Sequence, residues 1–327
     1  MSTPKVSISV PLYNKEKYIG RTISSLLSQT FSDFELIICD NASSDKSLEI
    51  VSSFNDPRIK IFTEKETNWD GSNWNKCVTL SSGKYVALFH ADDLYDPQII
   101  EKQVKAFEKY PELGAVFTRA YTIDEKDAVM GEMFADEALI KSETVNLDAA
   151  LRSYIETGRG SFICPSATIL KSVYDNIGLY RLPEGIYKFG NDYDLYFRVL
   201  EKYPIKILPE KLVKYRIYPE QDTNRCVKKN LEPNVFFHIV RKFKDSPALK
   251  KPLDEHLIKM TLDSEKKDMY ICAFNAIDKK NYQYAKELLI EASRIRSGIY
   301  DLLINMLLSR DKMSLISWLI RLKYRSA

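Results

Sequence analysis

The first hundred residues alternate between two hydrophobic periods. Lys5 to Pro11 (KVSISVP) places Val6, Ile8 and Val10 two apart, which predicts a strand. Glu16 to Gln29 spaces Ile19, Ile23, Leu26 and Leu27 as one face of a helix. Phe34 to Asp40 (FELIICD) is apolar almost throughout, as a strand covered on both faces should be. A helix over Asp45 to Ser53, a strand over Ile59 to Thr63 and a helix over Asn73 to Ser82 follow, the last expected to stop at Gly83 as a C-terminal cap. Tyr85 to His90 reads as a strand, Pro97 to Tyr110 as a helix with Pro97 in its first turn, and Ala115 to Ile123 as a strand. Strands separated by helices in this way predict a mostly parallel α/β sheet with crossover helices.

The pattern loosens between about 125 and 220. It offers a strand at Ser166 to Leu170, a helix at Asp192 to Tyr203, and separate strands at Ile205 to Leu208 and Lys211 to Ile217. From about Leu231 the pattern is helical, with a pair at Tyr282 to Arg296 and Ile299 to Leu308 and a last helix at Met313 to Tyr324. The charge changes sign at the same place. Residues 1–220 hold 27 Lys and Arg against 32 Asp and Glu, and residues 221–327 hold 21 against 13. That switch suggests a change of role near two-thirds of the chain.

Composition narrows the classes. No run approaches the ~18 apolar residues of a membrane-spanning helix, and the start lacks the apolar core of a secretory signal, so a cytoplasmic protein is expected. The five cysteines are scattered without a CxxC pair, which predicts reduced thiols rather than disulfides or a zinc ribbon. With three dispersed histidines, a metal is expected to rest on carboxylates, favouring Mg2+ or Mn2+. The first turn has no GxGxxG, which argues against a dinucleotide oxidoreductase. The basic tail alternates its charges with acids along helices, so no nucleic-acid partner is expected.

In an open parallel sheet, ligands bind beyond the carboxyl ends of the strands. There the chain places Pro11, Tyr13 and Asn14, then Asp40, Asn41, Ser43, Ser44 and Asp45, then His90, Asp92 and Asp93. A ring for a base, an acceptor for base or ribose, and a carboxylate pair for a cation are what a nucleoside diphosphate requires. Ser44 or Asp45 also suits a helix cap, and Trp74 suits packing or the border of the nucleotide.

Val6 to Asp45 and Asn68 to Asp93, ending GKYVALFHADD, resemble the family 2 glycosyltransferases of the GT-A fold, over roughly residues 5–220. The resemblance implies a Rossmann-like GT-A domain over 1–225, with a donor half to about 124 and an acceptor half over 125–225, followed by a helical region over 226–327. It implies that Pro11, Tyr13 and Asp40 hold base and ribose, with Asn14 and Asn75 also on the donor side. Asp92 would then serve donor and metal, Asp93 the metal, Mn2+ or Mg2+. In Gly190-Asn191-Asp192-Tyr193-Asp194-Leu195-Tyr196-Phe197-Arg198, Asp192 matches the family's general base, Asn191 replaces its usual Glu, Asp194 reads as a surface or capping acid, and Arg198 as structural. Tyr218 stands where many members carry a histidine on the metal or diphosphate, and His90 where another Asp often begins the acidic motif.

The implied activity is inverting transfer from a nucleotide-sugar, UDP-linked by preference, to a glycan or lipid-linked acceptor in surface polysaccharide synthesis. The alternative is an inactive nucleotide-sugar-binding module with a working helical tail. The last helix carries apolar residues among Arg310, Lys312, Arg321, Lys323 and Arg325. It suits either docking on the helices before it or lying on the inner face of an anionic membrane.

Overall fold

The structure, a computed structural model, describes residues 3–68, 71–181, 190–221, 232–295, 299–310 and 312–324, without the side chains of 299 and 300. Cys226, Leu231, Arg296 and Arg325 lie outside the described residues. The described residues fall into two compact units. One runs to Arg181 and includes Asn191–Tyr218; the other holds Gly190 and the residues from Pro219 on.

The first unit opens with β1 (Val6–Leu12), α1 (Ile19–Leu27), β2 (Phe34–Asp40), α2 (Ser47–Ser52), β3 (Ile59–Thr63), α3 (Ser72–Leu80) and β4 (Tyr85–Leu88). It continues with β5 (Leu94–Tyr95), α4 (Ile99–Lys109), β6 (Ala115–Ile123) and β7 (Val129–Glu132). Then come α5 (Glu137–Lys141), α6 (Leu147–Thr157), β8 (Thr168–Leu170), α7 (Lys171–Ile177), α8 (Asn191–Leu200) and β9 (Ile205–Arg216). The sheet runs β3-β2-β1-β4-β8-β6-β9-β5, with β7 on β6. β3, β2, β1 and β4 are mutually parallel, while β8 is antiparallel to both β4 and β6. The first strand is thus central, and the ends of β1, β2 and β4 lie side by side.

Both faces of β1 are buried. Val6, Ile8, Val10 and Leu12 enter the main core, and Ser7 and Ser9 are as fully covered on the other face. Those hydroxyls are satisfied: Ser7 donates to Glu35 at 2.5 Å, and Ser9 meets Ser81 Oγ at 2.9 Å. Gly83, expected as a cap, does something else. Helix α3 ends at Ser81 in an extended conformation, and a Cβ on Gly83 would stand 2.6 Å from the Ser7 nitrogen. It is glycine because the chain passes against the backbone of β1.

The two strands expected between Ile205 and Ile217 are one, β9. Its register on β6 slips between Thr118, opposite Leu208, and Arg119, opposite Lys211. A bulge there accommodates Pro209, which has no N–H for a ladder. The short elements β5, β7, α5 and α7 carried too little periodicity to be anticipated; α6, which buries Leu147, Ala150, Leu151 and Tyr154 at helical spacing, was not anticipated although its pattern is regular.

The second unit holds α9 (Val235–Phe243), α10 (Glu255–Asp278), α11 (Tyr282–Ile295), α12 (Ile299–Leu308) and α13 (Met313–Tyr324). Its core joins Met269, Ala273 and Ala276 of α10 to Leu288 and Ala292 of α11, Ile304 of α12 and Ile316 of α13. No helix among the described residues is long and apolar enough to cross a membrane.

Candidate functional site

The turns after β1 and β2 are bolted to each other. Asn14, at φ 47°, donates from its backbone to Ser43 Oγ at 3.0 Å and accepts from the Ser44 N–H at 2.8 Å. Lys46 stands at the N-cap of α2 without a side-chain bond, and Asp45 before it accepts from the backbones of Glu16 and Ser47, tying the two turns together rather than capping the helix as its position suggested. Burial pushes its carboxyl up, yet these bonds leave it below the ordinary range. Asp40, 2% exposed at the end of β2, accepts from the Ser43 N–H at 3.2 and 3.3 Å. Pro11 and Tyr13 are half-buried beside it, and the register sets Leu12 opposite Asp40. Asn41 exchanges two bonds with the backbone of Asn68, which holds the approach to α3.

The acidic motif after β4 turns inward. Asp92 and Asp93 are 6% and 0% exposed. Tyr218 Oη donates to Asp92 Oδ2 at 2.5 Å, and Lys15 Nζ stands 3.3 Å from the same oxygen while donating to Tyr218 Oη at 2.6 Å. Burial favours the neutral acid at Asp92, but Lys15, His90 and Tyr218 together hold its carboxyl below the usual range. Asp93 goes the other way. Burial first, then the charge of Asp92, push it well above that range. Its Oδ1 accepts from the Arg216 N–H at 2.7 Å, while its buried Oδ2 has no hydrogen-bond donor among the described residues. His90 Nδ1 lies 3.7 Å from that oxygen.

Ligand atoms of His90, Asp92 and Asp93 lie within 4.8 Å of one another. An orphaned buried carboxylate oxygen beside a second carboxylate fits a divalent cation, which would supply the missing partner. Burial lowers the pKa of His90 against the opposing pull of Asp92, which favours the neutral ring that coordination needs. His90 thus stands beside the two expected carboxylates as a third candidate ligand.

Asp192 sits in the first turn of α8, half-buried. Burial raises its pKa, only partly offset by backbone bonds and by the Cys164 thiol. Cys164 Sγ in turn lies 3.5 Å from His90 Nε2, so one thiol spans from the acidic cluster to Asp192. Asn191 faces Gly71, whose added Cβ would stand 3.2 Å from Asn191 Nδ2. Asn75 donates to the Tyr180 carbonyl at 2.8 Å. Trp74 packs at centroid distances of 5.6 Å from His90 and 5.2 Å from Tyr180, bordering the cluster.

Residues 7–177 match the family described as Glycosyl transferase family 2, just over half of the chain. The chain belongs to glycosyltransferase family 2. It is 32% identical over 231 residues to the uncharacterized glycosyltransferase MJ1057 of Methanocaldococcus jannaschii, covering 68% of this chain and 73% of that one. A 36% identity over 127 residues links it to the putative glycosyltransferase EpsE of Bacillus subtilis, covering 38% and 46%. Among solved structures, Staphylococcus aureus TarS 1–349 in complex with UDP-GlcNAc is similar at TM-score 0.56 and 15% identity, over 89% of this chain and 91% of that one. The mannosyltransferase PcManGT of Pyrobaculum calidifontis, in complex with GDP-Man and Mn2+, is similar at 0.53 and 14%, over 99% and 87%. The fold of this glycosyltransferase is thus GT-A.

Two expectations on α8 part company. Arg198 is structural as anticipated, with Nε 2.7 Å from Asp194 Oδ2 and further bonds to the Ile177, Gly178 and Leu179 carbonyls. Asp194 is no surface acid: it is 1% exposed and ion-paired to Arg198. Sequence reasoning overlooked Lys15, Cys164 and Arg216, and treated Tyr218 only as the replacement of a histidine. Lys15 and Asp92 are 77 positions apart, and no local pattern marks either as the other's partner.

Proposed function

We propose that this glycosyltransferase is a metal-dependent inverting enzyme that moves a sugar from a nucleoside-diphosphate donor to a hydroxyl of a glycan or lipid-linked acceptor. The observation that carries the reading is the unpartnered Asp93 Oδ2, buried beside Asp92 and His90 and one thiol removed from Asp192. Asp92, Asp93 and His90 would hold Mn2+ or Mg2+, which when bound supplies charge to neutralise a departing diphosphate. Pro11, Tyr13 and Asp40 would receive base and ribose, with Asn14 and Asn75 bracing that pocket. Residues to about 124 would form the donor half, 125–225 the acceptor half, and 226–327 a helical appendage. Surface polysaccharide assembly is the proposed setting.

Asp192 would accept the proton of the acceptor hydroxyl as its oxygen attacks the anomeric carbon. A carboxylate whose pKa is raised by burial is a stronger base than one in water. Lys15 and Tyr218 fix the orientation of Asp92 through its Oδ2. The likeness to TarS, whose structures hold UDP and UDP-GlcNAc, supports a UDP-sugar, and PcManGT with Mn2+ supports the metal.

A thermal-shift screen of UDP-, GDP- and dTDP-sugars with Mn2+ is the direct test. A UDP-sugar should raise the melting temperature most, and only with the metal present. No shift with any of them would overturn the donor assignment. Donor hydrolysis, with and without Mn2+, separates an enzyme from an inactive binding module.

A further inference from the structure

The last helix docks on the helices before it with one apolar face and leaves a second one exposed. Met313, Ile316 and Ile320 of α13 are buried in the core of the second unit. Leu315, Trp318 and Leu322 are 46%, 55% and 61% exposed. At 100° per residue, the second set lies opposite the first, as a continuous outward stripe with i, i+3, i+7 spacing. Its neighbour α12 repeats the arrangement. Ile304 and Leu307 are buried, whereas Leu302, Leu303 and Met306 are 67%, 37% and 45% exposed. Two consecutive helices therefore each spend an apolar stripe on the core and present a second one to solvent.

Among the described residues of these two helices and the turn between them, the exposed charges are cations. Arg310, Lys312, Arg321 and Lys323 are exposed. On the wheel of α13, Arg321 falls to one side of the outward stripe and Lys323 to the other. Among the described residues from 299 to 324 the carboxylate is Asp301, which is 3% exposed and bound to Lys266 at 2.5 Å and to Tyr270. Asp311 lies outside the described residues.

We propose that α12 and α13 form a docking face for an anionic lipid surface. The apolar stripes would enter the boundary between headgroups and acyl chains, with Trp318 at the level where an indole is both apolar and wet. The flanking Arg and Lys would meet the headgroup phosphates. A second copy of this chain fits less well, because a two-fold contact on this face would set Arg310, Lys312, Arg321 and Lys323 against one another, and among the described residues of 299–324 no exposed carboxylate pairs them. The inference concerns the helical unit alone and stands whatever the donor proves to be.

Flotation of the full chain with vesicles tests it. Phosphatidylcholine vesicles containing about a third phosphatidylglycerol should carry the protein upward, and pure phosphatidylcholine should not. The bound fraction should fall steeply between 0.1 and 0.5 M salt, roughly the range over which the screening length drops to a few ångströms. Arg310→Glu with Lys312→Glu should weaken binding about tenfold or more, since each cation near an anionic surface contributes and each reversal repels. Leu315→Ser, Trp318→Ser and Leu322→Ser together should abolish it with the melting temperature unchanged, because none of the three is in the core. Absence of flotation, or equal flotation on neutral vesicles, overturns the proposal. So does a dimer in light scattering that the triple serine variant dissolves, which would assign the face to a second copy. Should a variant fail to fold, the lipid and salt dependence of the unmodified protein still decides.

Discussion

Replacing Arg198 with Met should loosen the helix that carries Asp192. The guanidinium is buried and donates four bonds, one to Asp194 Oδ2 and three to the carbonyls of Ile177, Gly178 and Leu179. Methionine keeps much of the stem volume but leaves the Asp194 carboxylate 1% exposed, with Arg181 3.5 Å away on the exposed side. Removing one partner of a buried pair costs about 3–5 kcal/mol, because the remaining charge stays desolvated. For a domain of roughly 200 residues this lowers Tm by about 6–20 °C. A double variant, Arg198→Met with Asp194→Leu, removes the stranded charge and should recover part of the loss. It should not recover all of it, since the three carbonyls still lack their donor at about 1 kcal/mol or more each. Urea unfolding followed by circular dichroism measures each corner of this cycle. An Arg198→Met protein within 1 kcal/mol of the parent, at an unchanged m value, would refute the reasoning.

Asp192→Asn should cut turnover by about 100- to 10,000-fold while donor binding stays intact. Near-parental turnover would remove Asp192 as the base. The same variant should be as stable as the parent at pH 7 or more so. A carboxyl with a raised folded pKa contributes stability that is present at low pH and lost as pH rises through that pKa, and Asn escapes the loss; a large drop in its melting temperature at pH 7 would contradict this. Asp93→Asn should abolish Mn2+ binding in calorimetry, and in the parent that binding should strengthen with pH because the cation must displace a proton held by Asp93. Flat affinity across pH would oppose the assignment. Gly83→Ala should destabilise by about 1–3 kcal/mol through its clash with β1, read as a lowered urea midpoint, and an unchanged midpoint would show that the loop has room to move.

Much of the first hundred residues was legible in the order of residues alone. Phe34 to Asp40 and Ile59 to Thr63 have the bounds the pattern predicted, because burial on both faces or regular alternation is written into each local run. The placing of Asp40, Asp92 and Asp93 at strand ends follows from the same runs. The middle was harder to read, since β9 hides a bulge at Pro209 and helices α5 and α7 have only 5 and 7 residues.

The sequence by itself determined the strands, the helices between them and the polar residues at the strand ends, all properties of neighbours along the chain. Only the tertiary structure decided who meets whom. Tyr218 reaches Asp92 across 126 positions, Cys164 comes to lie between His90 and Asp192, and Asp194 turns inward to Arg198. Those meetings depend on strand order and on the slip in β9, and neither leaves a mark on local periodicity. The same reason explains the last helix. Its apolar residues nearly encircle it in sequence, and only packing shows which stripe went to the core and which was left facing out.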